Sequence, residues 1–167
     1  YHRSVPPYKY FERRLVAPGS LLDEWVKQLA SLRAQDLRRY YVPETDAEKL
    51  IARIGHACDA HKVEYAVTHE AAAQRYTPFL SNVSQVRCKM LASHAAEAAI
   101  AELGARVVSE GVNLVILEAK SLGDFLFRER VGDAWLASPI QVYLDLLRGE
   151  GRGKEMAQHL RHERIGF

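Results

Sequence analysis

The feature that most constrains the fold is a helix with a clear beginning at residue 138. Ser138 suits the N-cap, since its hydroxyl can accept a hydrogen bond from a free amide of the first turn. Pro139 falls at the first helical position, where its missing N–H costs nothing, and Gln141 completes a capping-box pattern. Apolar residues then recur at helical spacing: Ile140, Tyr143, Leu144 and Leu147. This helix must therefore lie against a core.

A glycine-rich break, GEGRGK at residues 149–154, follows this helix and precedes a second one. It is not a phosphate-binding P-loop, because a helix precedes it and Glu155 follows Lys154 where that motif needs Ser or Thr. Two interpretations stay open. The break is a plain turn with solvated charges, or the free amides of the second helix and Arg148, Arg152 and Lys154 hold a phosphate or an acidic patch.

Composition indicates a globular protein with a modest positive charge. A chain of 167 residues with 48% hydrophobic residues fits one domain that needs no metal or disulfide to fold. The net charge of +2 falls short of a dedicated nucleic-acid module. Cys58 and Cys88 are too few for a disulfide scaffold, so we expect reduced thiols and a cytoplasmic location. No charged-then-apolar leader pattern opens the sequence and no apolar run approaches membrane-spanning length, so we expect a protein that is neither secreted nor membrane-spanning.

Alternating strand and helix patterns predict an α+β (α/β-like) fold, a mixed β-sheet covered by helices. We expect residues 1–17 to form an N-terminal arm or strand and residues 18–167 to form a single domain. Helices are predicted from a cap at Ser20, from a Thr45–Glu48 capping box to about His61, over 69–76 and over 93–103. Strands are predicted over 36–42, 63–68 and 83–90, with 106–108 and 112–117 as a pair; the type of structure in 121–134 stays open.

Basic residues form two candidate surfaces for an anionic partner. Alternation along 83–90 predicts a half-exposed strand with Arg87 and Lys89 on one face. The second is a terminal cluster: Arg148, Arg152, Lys154, Arg161 and Arg164. Such residues neutralise phosphates of nucleic acid, and the alternative for both sets is a solvated face.

No pattern predicts a metal or catalytic site. Cys58 and His61 share a helix face, but His56 points elsewhere and no second ligand pair follows at zinc spacing. Nucleotidyl transfer needs carboxylates that hold two metals, commonly at i and i+2 on a strand, and the sequence has no Asp-x-Asp. Glu44-x-Asp46 lies beside a helix cap, and Glu118 ends a strand without recognisable partners. We therefore expect no catalytic residue, metal or cofactor.

An ordered set of segments resembles a known family. The segments are LLDEWV (21–26), RRYYVP (38–43), YAVTHEAAAQRY (65–76), NLVILEA (113–119) and SPIQVYLDLL (138–147) with the basic helix after it. In order and approximate spacing they resemble AbiEi-type antitoxins of type IV toxin–antitoxin systems, over roughly residues 18–161. After the YAVT strand the family leads us to expect a small residue such as Gly, and this chain has His69.

The resemblance implies a regulatory protein rather than an enzyme. Proteins of that family pair a DNA-binding winged helix-turn-helix with a C-terminal domain that supports neutralisation of a nucleotidyltransferase-like toxin. Residues before Ser20 are too few for a helix-turn-helix, so we expect the antitoxin domain alone, with YKYFERR as a hypothetical last strand of an upstream wing.

The leading hypothesis is therefore a non-enzymatic regulatory domain that works by macromolecular contacts with auxiliary DNA binding. Its candidate partners are a cognate nucleotidyltransferase-like toxin, duplex DNA and a second copy of the chain, with no membrane. One alternative is an active or degenerate nucleotidyltransferase-like enzyme. Another is a dimerisation module that uses the exposed side of helix 138–147.

Overall fold

A computed structural model describes residues 3–5, 9–11, 17–29, 37–79, 82–149 and 153–167. The chain divides into two compact units, residues 1–32 with Phe167 and residues 33–166. The domain boundary that we place before residue 18 stays a prediction. No helix in the described ranges is both long enough and apolar enough to cross a membrane.

The described residues of the smaller unit form two short strands and one helix. Strands β1 (Arg3–Val5) and β2 (Lys9–Phe11) pair antiparallel, and helix α1 spans Pro18–Leu29. The helix begins two residues before the predicted cap at Ser20, because the Ala17 carbonyl already accepts the first helical hydrogen bond from the Leu21 amide (3.1 Å). Proline at the first helical position fits this earlier start.

The larger unit is built on a seven-stranded mixed sheet. Its strands are β3 (Leu37–Tyr41), β4 (Tyr65–Thr68), β5 (Val86–Leu91), β6 (Arg106–Val107), β7 (Leu114–Ala119), β8 (Glu129–Val131) and β9 (Ala134–Leu136). Their order in the sheet is β6-β3-β7-β5-β4-β9-β8. Strands β5 and β7 are parallel, as are β4 and β9, while the other neighbours are antiparallel. The predicted α+β fold with a mixed sheet is confirmed.

Two predictions about the strands have different outcomes. The apolar run at 112–117 is predicted to be a strand, and it supplies most of β7, which lies between β3 and β5. The predicted pairing of 106–108 with 112–117 is wrong, because β3 lies between β6 and β7 and pairs with both. Asn113 fixes this arrangement: its side chain accepts from the Val42 amide (2.8 Å) and donates to the Val42 carbonyl (2.7 Å).

Helices of the larger unit pack on both faces of the sheet. They are α2 (Ala47–His61), α3 (His69–Tyr76), α4 (His94–Glu102), α5 (Pro139–Arg148) and α6 (Gly153–Leu160), and a π-helical turn, Arg161–Ile165, follows α6. Side chains alternate along β5, so Cys88 faces α2 while Arg87 and Lys89 contact α3 and α5 on the other face. Helix α4 packs on α2, and α6 packs on α3 and α5.

The predicted capping interactions are partly confirmed. Ser138 Oγ accepts from the Gln141 amide (3.2 Å) as predicted, and Ser93, at which the sequence predicts only the start of a helix, caps α4 by accepting from the Ala96 amide (3.0 Å). Helix α2 ends at His61 as predicted, but its cap is Asp46 rather than Thr45. The Asp46 carboxylate accepts from two amides of the first turn and leaves no N-cap role for Thr45.

The segment that the sequence left open, 121–134, contains a short 3₁₀ helix and a hairpin. The 3₁₀ helix spans Leu122–Phe125, and Ser121 Oγ caps it by accepting from the Gly123 amide (3.2 Å). Strands β8 and β9 pair antiparallel across a turn in which Gly132 has a φ of +65°. Glycine adopts this left-handed conformation without steric cost.

Both cysteines are free and buried between the sheet and α2. Burial, helped by the charge of Asp59, raises the pKa of the Cys58 thiol to about 12. Burial also raises the pKa of Cys88 well above its ordinary value, with a smaller contribution from Cys58. Because the thiolate is the reactive form, both side chains act here as small apolar core residues.

We expect neither thiol of the native protein to react at about pH 8 with an aromatic disulfide reagent, since burial blocks access and suppresses the thiolate. Reaction should appear only on unfolding, when both of the chain's cysteines become titratable. The measurement is the release of the coloured thiol with and without denaturant. Rapid stoichiometric labelling without denaturant would contradict this packing.

Candidate functional site

A polar cleft lies where β4 ends and α3 begins, beside β5. It has a volume of about 150 Å³. The side chains that line it are His69, Glu70, Ser84, Gln85 and Arg87. The C-terminal end of α5 is close by, since a Cβ placed on Gly149 would lie 3.6 Å from His69 Nδ1 and 3.8 Å from Arg87 Nη1.

His69 begins α3 in a left-handed backbone conformation, with a φ of +57°. Residues other than Gly adopt this region uncommonly, with Asn, Asp and His the most frequent of them, and a sparsely populated backbone conformation costs about 1–3 kcal/mol. Glycine, the kind of small residue that the family resemblance leads us to expect here, would adopt it without steric cost. His69 is therefore held at this turn at a cost in backbone conformational energy.

Thr68, at the N-cap position of α3, does not cap the helix with its side chain. Its hydroxyl instead donates to Asp145 Oδ2 (2.5 Å) on α5. Thr68, whose side chain would normally cap α3, therefore binds α5 instead.

A buried ion pair lies beneath the cleft. Lys89 Nζ on β5 is 3.2 Å from Asp145 Oδ2, and the two side chains are only 5% and 6% exposed. Asp145 also accepts from Thr68 and from Gln141 Nε2 (2.9 Å), so its charge has three partners. Two opposite charges can be buried inside a protein when their hydrogen-bond and ion-pair partners compensate for the lost hydration.

Arg87 is half-buried at the cleft, and its partners among the described residues are neutral. Its Nε donates to Gln85 Oε1 (3.3 Å), and its Nη1 lies 3.3 Å from His69 Nδ1. Among the described residues no carboxylate is within ion-pairing distance of Arg87. By contrast, the half-buried arginines Arg75 and Arg128 each pair with a carboxylate, at 2.9 Å and 2.7 Å.

The His69 ring responds to this environment. Burial lowers its pKa from 6.5 to about 4. The nearby charge of Asp145 opposes the shift, while Arg87, Lys89 and Arg148 add to it. His69 is thus neutral at physiological pH. Because a guanidinium only donates hydrogen bonds, Nδ1 must accept from Arg87 and the ring proton must lie on Nε2.

The structure corrects the predicted basic face of strand 83–90. Arg87 is half-buried at the cleft, but Lys89 is 4% exposed. The half-exposed strand is wrong for Lys89, because β5 is an internal strand with α5 covering this side, and the lysine charge is used inside the fold. Side chains alternate along the strand as predicted, but α5 covers the face that carries Lys89 and buries it.

The terminal cluster lies on three elements that pack together: α5, α6 and the π-helical turn. Arg148, Lys154 and Arg164 are exposed, and Arg161 is half-buried. Arg161 Nη1 donates to Tyr143 Oη (3.0 Å), and Arg164 Nη2 pairs with Glu129 Oε1 (2.8 Å). Arg152 lies outside the described residues. No finding tests whether this cluster contacts a partner, so its role stays a prediction.

Gly153 sets how closely α6 approaches α5. A Cβ at this position would lie 2.6 Å from the Leu146 carbonyl oxygen, a distance that real Cβ atoms do not reach. The last glycine of the GEGRGK break is thus required by packing between two helices.

The acidic and metal candidates do not converge. Cys58 is buried and His56 exposed on α2, and the described ranges contain no group of three metal-ligating side chains. Glu118 is exposed and pairs in register with Met90, which places it on the face of the sheet opposite to Arg87. Asp46 and Glu44 serve the start of α2.

Sequence comparison supplies the family. The profile for the transcriptional regulator, AbiEi antitoxin, type IV toxin–antitoxin system matches residues 14–166. The chain belongs to this AbiEi antitoxin family. No curated protein and no solved structure matches the chain.

The predicted resemblance to AbiEi antitoxins is therefore confirmed, and it covers nearly the whole chain. Membership supports a transcriptional regulator and antitoxin as the general function. The cleft and its buried ion pair were missed at the sequence level. The one signal that pointed to them was His69, at the turn where the family suggests a small residue.

Breaking the Lys89–Asp145 pair should destabilise the fold. We expect Lys89→Met to lower the free energy of unfolding by about 3–5 kcal/mol, because it leaves a buried carboxylate without its cation. Adding Asp145→Asn removes that charge and keeps one amide oxygen as an acceptor for Thr68 or Gln141, so it should recover part of the loss. Urea unfolding of the single and double variants measures both effects.

As a control, Arg130→Met removes an exposed ion pair with Asp59 and should cost less than about 1 kcal/mol. Strictly additive effects of Lys89→Met and Asp145→Asn would show that the two charges do not interact.

His69 should make stability depend on pH below neutrality. Its pKa is about 4 in the folded protein and about 6.5 when unfolded, so between these values the unfolded state binds more protons. The contribution of neutral His69 to the free energy of unfolding is therefore fully present above pH 6.5. As the pH falls toward 4 this contribution is lost, and for a half-buried side chain the loss is about 2 kcal/mol. His69→Asn, which tolerates the left-handed backbone, should remove this part of the decline in urea unfolding.

The matched control is His56→Asn, which removes an exposed histidine and should keep the wild-type decline. An identical pH dependence in the wild type and in His69→Asn would mean that His69 is not held neutral by its surroundings.

Proposed function

We propose that this chain is a non-enzymatic regulatory domain of a type IV antitoxin, and that it acts in the cytoplasm through contacts with other macromolecules. The observation that carries the proposal is the family match over residues 14–166. Its partners are duplex DNA, contacted as an auxiliary site through the terminal cluster, and a cognate nucleotidyltransferase-like toxin.

The terminal cluster suits contacts with a phosphate backbone. Helices α5 and α6 and the π-helical turn pack against each other, so their cations are displayed on a rigid support. The guanidinium of Arg161 lies over the Tyr143 ring, with its central carbon 5.5 Å from the ring centroid. Arg164 is placed over Tyr76 in the same way, at 5.6 Å. Pre-positioned cations lose less freedom when they bind phosphate.

The overall charge supports an auxiliary rather than a dominant DNA contact. A net charge of +2 gives little long-range attraction, so binding should depend on the few local cations and should weaken steeply with salt. Sequence reading would then belong to another part of the regulator, because phosphate contacts position a protein without specifying bases.

The charges in the cleft favour a regulator over a metal-dependent nucleotidyltransferase. Beside the cleft, positions i and i+2 of β5 are Arg87 and Lys89. A two-metal enzyme needs carboxylates at such positions. Glu118, the one carboxylate that the sequence offered on a strand, lies on the other face of the sheet.

We expect the chain to bind duplex DNA at low salt, with a logarithm of the affinity that falls linearly with the logarithm of the salt concentration. Lys154→Ala should weaken binding to all duplex sequences and reduce the salt slope by about 1, and Lys154→Ala with Arg164→Ala by about 2. Fluorescence anisotropy of a labelled duplex over a series of salt concentrations measures both quantities.

Lys49→Ala is the matched control. Lys49 is also an exposed lysine in the first turn of a helix, but α2 lies on the opposite face of the sheet, so its removal should leave the slope unchanged. Absence of duplex binding at low salt, or equal effects of Lys49→Ala and Lys154→Ala, would contradict the proposed surface.

A further inference from the structure

We infer that the cleft at the β4–α3 turn is a binding site for a phosphate group of a small ligand or of a nucleic-acid end, with Arg87 as its main cation and His69, Ser84 and Gln85 around it. This site is separate from the proposed duplex surface. The charges, the exposure and the volume of the cleft support this inference.

Arg87 is a cation of the cleft with no ion-pair partner among the described residues, and the Glu70 carboxylate lines the same cleft. Lys89 and Asp145 neutralise each other in the interior. Arg87 has no carboxylate partner in the described part of the chain, and the charge of Arg148 reaches the same histidine. A half-buried guanidinium that lacks an anionic partner is incompletely compensated, and an entering anion would supply the compensation.

The donors of the cleft match a phosphoryl group. A guanidinium has five N–H groups, and the two hydrogen bonds of Arg87 to described residues use its Nε and one N–H of Nη1. Nη2 is left for a planar, two-point contact with phosphate oxygens. His69 and the exposed Ser84 also line the cleft, and the imidazole N–H and the serine hydroxyl are neutral donors.

Gln85 keeps Arg87 ready for such a contact. Its Oε1 accepts from Arg87 Nε, and its Nε2 donates to the Val112 carbonyl (3.4 Å). The side chain of Arg87 is thereby held between β5 and the His69 ring before any ligand enters, which lowers the entropy lost on binding.

The volume limits what can enter. A cleft of about 150 Å³ has room for a phosphate group with a few waters. It is smaller than the roughly 300–1,000 Å³ of pockets that enclose whole small molecules. A nucleotide would therefore place only its phosphate tail here, with its base outside. Glu70 also lines the cleft, and its carboxylate disfavours an anion.

Isothermal titration calorimetry with inorganic phosphate, against sodium chloride at equal ionic strength, tests the site. We expect a dissociation constant on the order of 1 mM for the wild type. Arg87→Gln should weaken binding about tenfold or more, and Glu70→Gln should tighten it several-fold, because the first removes the cation and the second removes the opposing charge. Circular dichroism of each variant verifies that it is folded.

Arg53→Gln is the matched control. Arg53 is also half-buried, lines another cleft and donates to a neutral acceptor, the Leu103 carbonyl (3.1 Å), so phosphate affinity should not change. Competition then identifies the source of the phosphate: a nucleoside triphosphate that displaces phosphate at lower concentration indicates a nucleotide, and a 5′-phosphorylated oligonucleotide that does so indicates a nucleic-acid end.

No phosphate binding by the wild type, or equal affinity in the wild type, Arg87→Gln and Arg53→Gln, would overturn the site. Lys154→Ala separates this result from the duplex surface, because it should weaken duplex binding and leave phosphate binding intact.

Discussion

The fold of the larger unit depends on a buried ion pair that joins three elements. Lys89 on β5 meets Asp145 on α5, and Thr68 at the end of β4 binds the same carboxylate. Two charges at 5% and 6% exposure are tolerated only with this complete set of partners, so a shift of α5 along the sheet would leave a charge uncompensated. The apolar neighbours of Asp145, Leu144 and Leu146, supply burial but do not by themselves specify one position.

The position of α5 in turn determines the cleft and the terminal cluster. Helix α6 approaches α5 so closely that only glycine fits at position 153 opposite the Leu146 carbonyl. The end of α5 brings Gly149 beside His69 and Arg87. Because Thr68 is committed to Asp145, the turn into α3 is held by β4 and α5 together, and His69 is fixed there with a φ of +57°. One buried interaction therefore links the core to the surface that carries the functional proposals.

The sequence predicts the regular elements well and the buried charges poorly. Capping at Ser138, the helix that ends at His61 and the central strand 114–119 follow from local patterns, and the structure has all three. Periodicity favoured a stripe that includes Ile140 and Leu147, yet Asp145 is buried between them. An aspartate among apolar residues is normally assigned to the solvent side, since burying it requires a cation that lies far away in sequence. That cation, Lys89, lies on a strand whose alternation predicts an exposed face, so neither segment by itself indicates the buried pair.

The sign of the charged residues at the cleft determines which kind of ligand can bind there. A strand that follows a strand–helix turn and carries charged residues at i and i+2 has the spacing of a two-metal site, but spacing alone does not fix the ligand. Here both positions are cationic, one is neutralised by Asp145 inside the fold, and the other, Arg87, keeps a positive charge at the opening. A divalent cation would be repelled from this arrangement, whereas an anion would be attracted. The two strand positions thus carry charges opposite in sign to the carboxylates of a nucleotidyltransferase centre, and this accords with the proposed binding of a phosphate group at the cleft.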